Sequence, residues 1–433
     1  MELTARNTDL QTLATLLKTQ EGAKADAIIP ATKLTATNTG EILIDGTEPL
    51  KVADEILTDD GVTPAKYLDM NGAYTLSETA VRHFAERLGI DTRYARKLAD
   101  RRPDILAANI NGWIHGHKDS TLTDSETIPG GLEHKTIHPT DPRSFTVRAF
   151  HTPEGKFFRG LLSDRYSVID NLDVLDSVLR GIQAAGLDRD SLVISGCDLT
   201  ENRMRVRVLV PAAVIAAPAL FAGYRDPFEG RDVRVGGRGG WTIEQAREAA
   251  AREGQSYEPG TEPIMWAGFE FGNGELGDAA TYVVPRAEAL ICRNGLVLPL
   301  DATRKTHVGE RLEEGVINWS GETRRRQLEL ITSKVADAVR EFASVGFWEA
   351  KVAELSELAA KPVTDADKTI KAVSKTMRFS EVEQTSILDM FIHGGQMTAA
   401  GVMNAVTAAA QTIADPDRAA EVERTAVRVL AAV

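Results

Sequence analysis

The sequence contains few of the residues that crosslink secreted proteins or bind structural zinc. Its 433 residues include two cysteines, Cys197 and Cys292, which cannot form a disulfide framework or a four-thiolate metal site. It also lacks an uninterrupted apolar run of about 18 residues, the length that a membrane helix requires. Met1–Thr4 is not followed by the basic and apolar regions of a secretory signal. We therefore expect a cytoplasmic protein with no membrane span.

Aromatic residues are scarce and positive charge is in deficit. Aromatics make up 6% of the chain, and 50 Lys and Arg residues stand against 63 Asp and Glu, a formal net charge of −13. The acidic balance argues against a protein that coats nucleic acid over its whole surface. Apolar residues reach 43%, enough to bury a core and to exclude a disordered chain. The length predicts two or three domains.

The hydrophobic periodicity predicts an α+β fold with a mainly antiparallel sheet core, packed helices, and helical N- and C-terminal regions. A period of two over Ser144–Phe150 and Lys156–Leu162 predicts a hairpin, and Arg203–Val210 and Ile264–Phe271 predict further strands. Residues 282–291 are compatible with a strand or a helix. The predicted regions are a mixed, helical 1–138, an α+β core 139–310 and a helical 311–433.

Helix signals lie on both sides of this core. A Thr75-x-x-Glu78 capping box predicts the start of a helix, Gly89 its end, and Asp91 or Thr92 the cap of the next one. Pro103 limits that second helix. Beyond Glu322, we expect five helices, at 324–342, 348–358, 365–376, 381–392 and 417–433.

Two glycine-rich segments could suggest nucleotide binding, but their context does not support it. Gly272-x-Gly274-x-x-Gly277 follows a predicted strand, yet it lacks the βαβ unit and the ribose-binding acid of a dinucleotide site. The run 236–240 lacks the Lys-Ser/Thr of a P-loop. We expect a glycine-rich turn at 272–277, a flexible loop tip at 236–240, and no nucleotide cofactor.

Four histidines lie near one predicted loop. His115-x-His117 and His134-x-x-x-His138 could supply imidazole ligands, but the second spacing gives one face only within a helix, and Pro139 argues against a helix there. We interpret them as solvated loop histidines and expect no metal.

Arginines alternate with apolar residues in one predicted strand. Arg203, Arg205 and Arg207 should share a face, roughly 6.6 Å apart, a spacing that could follow the phosphates of a single strand. Arg93, Lys97 and Arg101 recur every four residues and form a second basic stripe. The predicted nucleic-acid contacts are Arg93, Lys97, Arg148, Arg159, Arg165, Arg203, Arg205 and Arg207. Nearby aromatics that could stack on bases, or fill the core, are Phe150, Phe157, Phe158, Tyr166, Trp241 and Trp266. The alternative is a solvated face paired with carboxylates from other segments.

A second set of polar residues could instead serve an enzyme. Ser163-Asp164-Arg165 supplies a hydroxyl and two charges without an adjacent histidine, although triads assemble across a fold. The candidate cluster is Ser163, Asp164, Arg165, Asp170, Asn171, Asn294 and His307. Capping at the end of a strand and an Asp–Arg pair would explain the first three equally well.

Several phrases resemble the phage- and plasmid-encoded family catalogued as domain of unknown function 932. Phe158–Tyr166 followed by Asp170-Asn171 resembles its "R-A-hydrophobic-S-D-R-Y … D-N" signature. Supporting phrases are Leu76–Ala80 with Leu88–Ile90, Asn273–Gly277, Ile291–Leu296, Thr306–Gly309 and Asn404–Thr407. Gly274 stands where serine is usual, and Gly160 where alanine is common. The phrases run in order from Leu76 to Thr407 and cover most of the chain.

The resemblance implies an origin in a phage or another mobile element of a bacterial host. The order of strands and helices is similar to that of phage single-strand annealing proteins, by analogy of fold. We therefore hypothesise a homo-oligomeric protein of DNA metabolism that binds, and could anneal, single-stranded DNA without a cofactor. The alternatives are a cofactor-free enzyme that uses the polar cluster and a structural or host-interaction phage protein.

Overall fold

The chain folds into two compact units. The computed structural model describes residues 4–53, 56–58, 61–63, 66–116, 141–164, 166, 168–231, 233–235, 264–277, 279–289, 295–298 and 321–433. Unit 1 comprises Thr19–Val168, and unit 2 comprises Glu2–Lys18, Ile169–Arg311 and Trp319–Val433. This division differs from the three regions expected from the sequence. The hairpin at 144–163 joins the N-terminal unit, whereas the C-terminal helices share a core with the second sheet.

Strands and helices occur in both units, and their pairing confirms the predicted α+β fold with mostly antiparallel strands. The strands are β1 Ala5–Thr8, β2 Lys24–Pro30, β3 Leu34–Ala36, β4 Glu41–Ile44, β5 Leu50–Ala53, β6 Ile56–Thr58, β7 Gly61–Thr63, β8 Lys66–Leu68, β9 Gly72–Leu76, β10 Ser144–Thr152, β11 Gly155–Ser163, β12 Val193–Leu199, β13 Arg203–Ala216, β14 Ile264–Gly274, β15 Tyr282–Ala289 and β16 Gly295–Val297. The helices are α1 Leu10–Ala23, α2 Glu78–Leu88, α3 Thr92–Arg101, α4 Pro103–His115, α5 Asn171–Ala184, α6 Pro218–Phe221, α7 Gly321–Phe342, α8 Val345–Ala359, α9 Ala366–Met377, α10 Glu381–Gly394, α11 Ala399–Ala410 and α12 Pro416–Ala432.

Unit 1 is a sheet covered by a cluster of three helices. Its strand order is β2-β10-β11-β9-β4-β3, with antiparallel neighbours except for the parallel pair β9 and β11. Phe84 of α2 and Ile110 of α4 are buried in the same core as Tyr74 and Phe158 of the sheet. The predicted hairpin is therefore confirmed as β10 and β11.

The start of α2 differs from the sequence prediction. Thr75 lies in β9, opposite Phe157 of β11, so it does not cap the helix. Ser77 is the N-cap instead, and its hydroxyl accepts a hydrogen bond from the Ala80 N–H at 3.1 Å. The strand holds Thr75 in extended pairing and shifts the cap by two residues.

Unit 2 is an antiparallel sheet with helices from both ends of the chain. Its order is β1-β12-β13-β14-β15-β16, and residues 282–289 form a strand, which resolves the ambiguity at this segment. Helices α5 and α7 approach closely at Gly181, where an added Cβ would lie 2.7 Å from Val335. The predicted C-terminal helices are present, and α11, which the sequence analysis missed, is an additional one.

The two faces of this sheet differ in chemistry. Met204, Val206 and Val208 lie in the apolar core of unit 2. Charged residues are buried on three neighbouring strands: Arg205 and Arg207 of β13, Glu270 of β14, and Arg286 and Glu288 of β15. Unit 2 therefore contains an ionic layer beside its apolar core.

Candidate nucleic-acid interface and the buried arginines

Two helices of unit 1 are joined by a three-residue turn. Gly89 ends α2 in the left-handed conformation at φ 66°, and its N–H donates to carbonyls of the last helical turn. Asp91 then caps α3 by accepting from the Tyr94 N–H at 3.0 Å. The predicted helix end and cap are confirmed. Buried Ala95 and Leu98 hold α3 in the unit 1 core, so only its opposite face meets solvent.

That outer face of α3 is cationic. Arg93, Arg96, Lys97 and Arg101 are exposed along it, together with Tyr94, whose accessible fraction is 54%. Arg96 lies 3.7 Å from Glu78 in an exposed pair, which solvent weakens. No carboxylate among the described residues lies within 4.0 Å of Arg93 or Lys97. The basic stripe predicted on this helix therefore faces water with two of its cations unneutralised.

The arginine ladder of β13 is buried. Arg205 Nη2 lies 2.7 Å from Asp198 Oδ2, and Arg207 Nη1 lies 3.3 Å from the same oxygen. Arg207 also contacts Asn7 and Gly196. The alternation placed Arg205 and Arg207 on one face, but they are paired within the protein and are not available to phosphates. Arg203, at the start of the strand, is half-exposed and lies 3.8 Å from Asp417.

A second layer of charges surrounds the ladder. Glu270 of β14, whose side chain is fully buried, accepts a hydrogen bond from Arg424 of α12 at 2.7 Å. Arg286 of β15 lies 2.9 Å from Glu423 and 3.6 Å from Glu288. Burial alone would raise the pKa of Glu270, but Arg205, Arg424 and Arg286 outweigh burial and lower it. This carboxylate is therefore charged in the folded protein.

Glycines make room for these large side chains. A Cβ at Gly196 would lie 2.5 Å from Arg207 Nη2, and a Cβ at Gly272 would lie 2.5 Å from the Tyr282 hydroxyl. Gly272 and Gly274 belong to β14, and Gly277 forms a turn at φ 75°. The prediction of a turn is therefore correct at Gly277 alone, whereas Gly272 and Gly274 lie in a strand, where they allow close packing.

The other predicted arginines of unit 1 are also internal. Arg148 is fully buried and lies 2.7 Å from Asp26 of β2. The Arg159 guanidinium lies 4.0 Å from the ring centroid of Phe150 in a cation–π contact. Arg165 falls outside the described residues. Of the predicted contact set, Arg93, Lys97 and Arg203 are thus the described members that solvent reaches to an appreciable extent.

The aromatic and histidine candidates are mostly structural or undescribed. Phe150, Phe158 and Trp266 are buried, whereas Phe157 and Tyr166 are partly exposed. His115 Nε2 lies 3.2 Å from the Thr35 hydroxyl. Trp241, His117, His134 and His138 lie outside the described residues. Within the part of the chain that the structure describes, no three His, Cys, Asp or Glu side chains are arranged to hold a metal ion.

The polar cluster is divided between the two units. Ser163, at the end of β11 in unit 1, is 3.3 Å from Asp164. Asp170 and Asn171 open α5 in unit 2, where the Asn171 N–H donates to Glu275 at 2.8 Å. Asn171 also accepts from the Asn273 amide at 3.0 Å, in a buried network of side chains. Asn294, His307 and Arg165 lie outside the described residues.

Sequence reasoning missed several residues of these sites. Glu270, Arg286, Glu423 and Arg424 carried no motif, because each pairs with residues distant in the chain. Tyr94 could have been identified from the sequence, because it lies directly after Arg93 among the basic residues of α3. The turn between α2 and α3 was also visible, since Gly89 stands between two capped helices.

Comparison with protein-family models finds no match, and comparisons with curated proteins and with solved structures find none either. The resemblance seen in the sequence therefore stays a prediction.

Among the described helices, none has both the length and the hydropathy needed to cross a bilayer.

Proposed function

We propose that this protein binds DNA and that the exposed face of α3 is its contact surface. The observation that carries the proposal is the unneutralised pair Arg93 and Lys97, flanked by exposed Tyr94, Arg96 and Arg101. Cations in this arrangement attract phosphates, and the release of counterions drives binding. An aromatic ring among them adds a surface for contact with sugar or base.

The connection between α2 and α3 supports duplex DNA as the ligand. Two helices joined by a short turn with a glycine form the helix-turn-helix unit, whose second helix enters the major groove. The 10 residues of α3 span about 15 Å, which suits a groove roughly 12 Å wide. Arg93 and Arg96 lie in its N-terminal half, the part that reaches base edges in this geometry, and Lys97 follows directly after that half.

The hypothesis of a phage protein that binds and anneals single-stranded DNA, as a homo-oligomer, stays a separate proposal. Its main support was the β13 ladder, and Arg205 and Arg207 are internally paired. Arg93 and Lys97 belong to both proposals. The two proposals therefore differ in the strand form that binds more tightly.

The test is a titration of labelled duplex and single-stranded oligonucleotides with the full chain, from about 50 to 200 mM salt. The double variant Arg93→Ala/Lys97→Ala should weaken duplex binding roughly 30-fold, at about 1 kcal/mol for each lost phosphate contact. It should also flatten the slope of log affinity against log salt by roughly 1.8.

The matched control is Lys368→Ala/Lys371→Ala, which removes the same charge from exposed positions of α9. Its affinity and salt slope should equal those of the unchanged protein. Equal weakening by both variants would show a general charge effect and refute the α3 surface. Tighter binding of single strands, with the same dependence on Arg93 and Lys97, would refute the groove geometry and support the single-strand proposal.

A further inference from the structure

Unit 2 contains a large polar cleft that the DNA-binding proposal does not use. Its volume is about 780 Å³, within the usual range of roughly 300–1,000 Å³ for small-ligand sites. One wall is formed by the strand ends around Arg203 and Tyr282, and the other by α12 and the last turn of α9. Apolar patches at Met204, Met377 and Ala420 interrupt the polar lining.

Arginines dominate the charge of this cleft. It is lined by Arg203 and Arg205 of β13, Arg378 at the end of α9, and Arg424 and Arg428 of α12, against the carboxylates of Asp198, Asp417 and Glu421. On α12, the spacing of 424 and 428 places two of these guanidiniums one turn apart on the same face.

The carboxylates are already engaged. Asp198 pairs with Arg205 at 2.7 Å, and Glu421 pairs with Arg418 at 2.7 Å. Asp417 lies 3.8 Å from Arg203. The three carboxylates of the cleft therefore lie beside Arg203, Arg205 and Arg418, and not beside Arg378 or Arg428.

Arg378 and Arg428 are the exposed arginines of the lining. No described carboxylate lies within 4.0 Å of either guanidinium. Arg424, by contrast, is held by Glu270 at 2.7 Å and lies over the Tyr282 ring at 4.4 Å. The cleft thus combines a fixed interior cation with two rim cations that have no internal partner.

The backbone at Arg378 supports a specific role for its side chain. It adopts φ 58° and ψ 42° at the end of α9, a left-handed conformation that favours glycine. A left-handed arginine is uncommon, and such positions concentrate at ligand sites. If this residue only ended the helix, glycine would adopt the left-handed conformation at a lower cost, as Gly89 and Gly395 do.

We propose that this cleft binds a small organic phosphate of nucleotide size. Arg378 and Arg428 would hold the phosphate, because guanidinium groups form paired hydrogen bonds with its oxygens. The organic part would lie on the strand side of the cleft, beside the Tyr282 ring and Ala279. A free nucleotide and a phosphate of a DNA strand share this chemistry, and the cleft volume favours the free molecule.

The test is calorimetric titration of the full chain with ADP, dTMP and inorganic pyrophosphate. At least one nucleotide should bind, and Arg428→Ala should weaken it roughly tenfold or more, as expected for a lost charge-assisted pair. Arg378→Gly should weaken binding equally while it relieves the backbone conformation, so its thermal midpoint should not fall. The control Arg180→Ala, at an exposed arginine of α5 paired with Asp176, should leave binding unchanged.

The outcomes separate this site from the α3 surface. The Arg93→Ala/Lys97→Ala variant should bind the nucleotide normally, whatever its affinity for DNA. Absence of binding to all three probes at about 5 mM would overturn the proposal. Binding that Arg378→Gly and Arg428→Ala leave intact, or that requires an oligonucleotide, would overturn it as well.

Discussion

Replacing Arg205 with alanine should destabilise unit 2 severely. The side chain is 10% exposed and lies between three carboxylates, at 2.7 Å from Asp198, 3.5 Å from Glu423 and 3.9 Å from Glu270. Removal of the guanidinium leaves these charges in a poorly solvated site. Breaking one buried ion pair in this way costs about 3–5 kcal/mol. Arg207 remains beside Asp198, so we place the cost of Arg205→Ala in that range.

The consequence is measurable by calorimetry or by circular dichroism during heating. A unit of this size loses roughly 2–4 °C of midpoint per kcal/mol, so the transition that includes unit 2 should fall by about 10 °C. Arg93→Ala is the matched control, because it removes an arginine of the same size from the exposed face of α3. Its free energy of unfolding should change by less than about 0.5 kcal/mol.

The same pair of variants separates structure from binding. An unchanged melting midpoint for Arg205→Ala, together with weaker DNA binding, would mean that Arg205 faces the ligand. That result would refute the burial argument and restore the β13 ladder as the binding surface. A large loss of stability for Arg93→Ala would show that α3 is held by its outer face and would refute the exposed-surface argument.

Two further predictions concern pH and packing. Hydrogen bonds from Arg418 lower the pKa of Glu383 to about 2, so its stabilisation is present above about pH 4.5 and is lost as pH falls towards 2. Glu383→Gln should therefore lower the free energy of unfolding by about 1 kcal/mol at pH 7, since water screens this partly exposed pair. Its melting midpoint should be below that of the unchanged protein at pH 7 and equal to it near pH 2. A difference in midpoint that is independent of pH would contradict this prediction. Gly181→Ala should cost about 1–3 kcal/mol in urea unfolding, because the new methyl would lie 2.7 Å from Val335. At Gly112 the added methyl would meet no atom within 4 Å apart from its chain neighbours and its own helix backbone, so Gly112→Ala should stabilise the protein by about 0.5–1 kcal/mol. Equal effects of the two substitutions would show that packing at Gly181 is not tight.

Local patterns were sufficient for β10, β11, β13 and β14 and for several helix ends, but not for the short strands between residues 5 and 76. Alternation predicted the β10–β11 hairpin, and Gly89 and Asp91 marked the end of α2 and the start of α3, because caps depend on neighbouring residues alone. Thr75 was assigned wrongly as a cap because its conformation is imposed by pairing with β11, about 80 residues away.

Helix α11 could not be identified from periodicity. All the residues of Ala399–Ala410 are buried, so the helix has no polar face to produce a period of 3.6. Thr398, which accepts from the Gly401 N–H, was the available start signal. The position of such a helix is determined by the elements that pack around it, and a short stretch of sequence contains no information about those elements.

The arginine ladder shows the same limit for a site. Alternation correctly placed Arg205 and Arg207 on one face, but it carries no information about what covers that face. The covering residues, Glu423 and Arg424 of α12, lie more than 200 positions further along the chain. A periodic charge pattern therefore predicts a shared environment without predicting whether that environment is solvent.

Burial of the ladder also changes what the net charge of −13 means for a partner. Ion pairs inside unit 2 cancel over a few ångströms and contribute little field at the surface. At 0.1 M salt, screening limits the range of the field of an exposed charge to about 10 Å. A phosphate that approaches α3 would therefore respond to the charges of that helix and not to the net charge of the whole chain. If the proposal is correct, the four exposed cations of α3, a helix whose one acidic residue is Asp100, would attract DNA even though the whole protein is acidic. Raising the salt should remove that attraction before it affects the buried layer, because only the surface charges are accessible to ions.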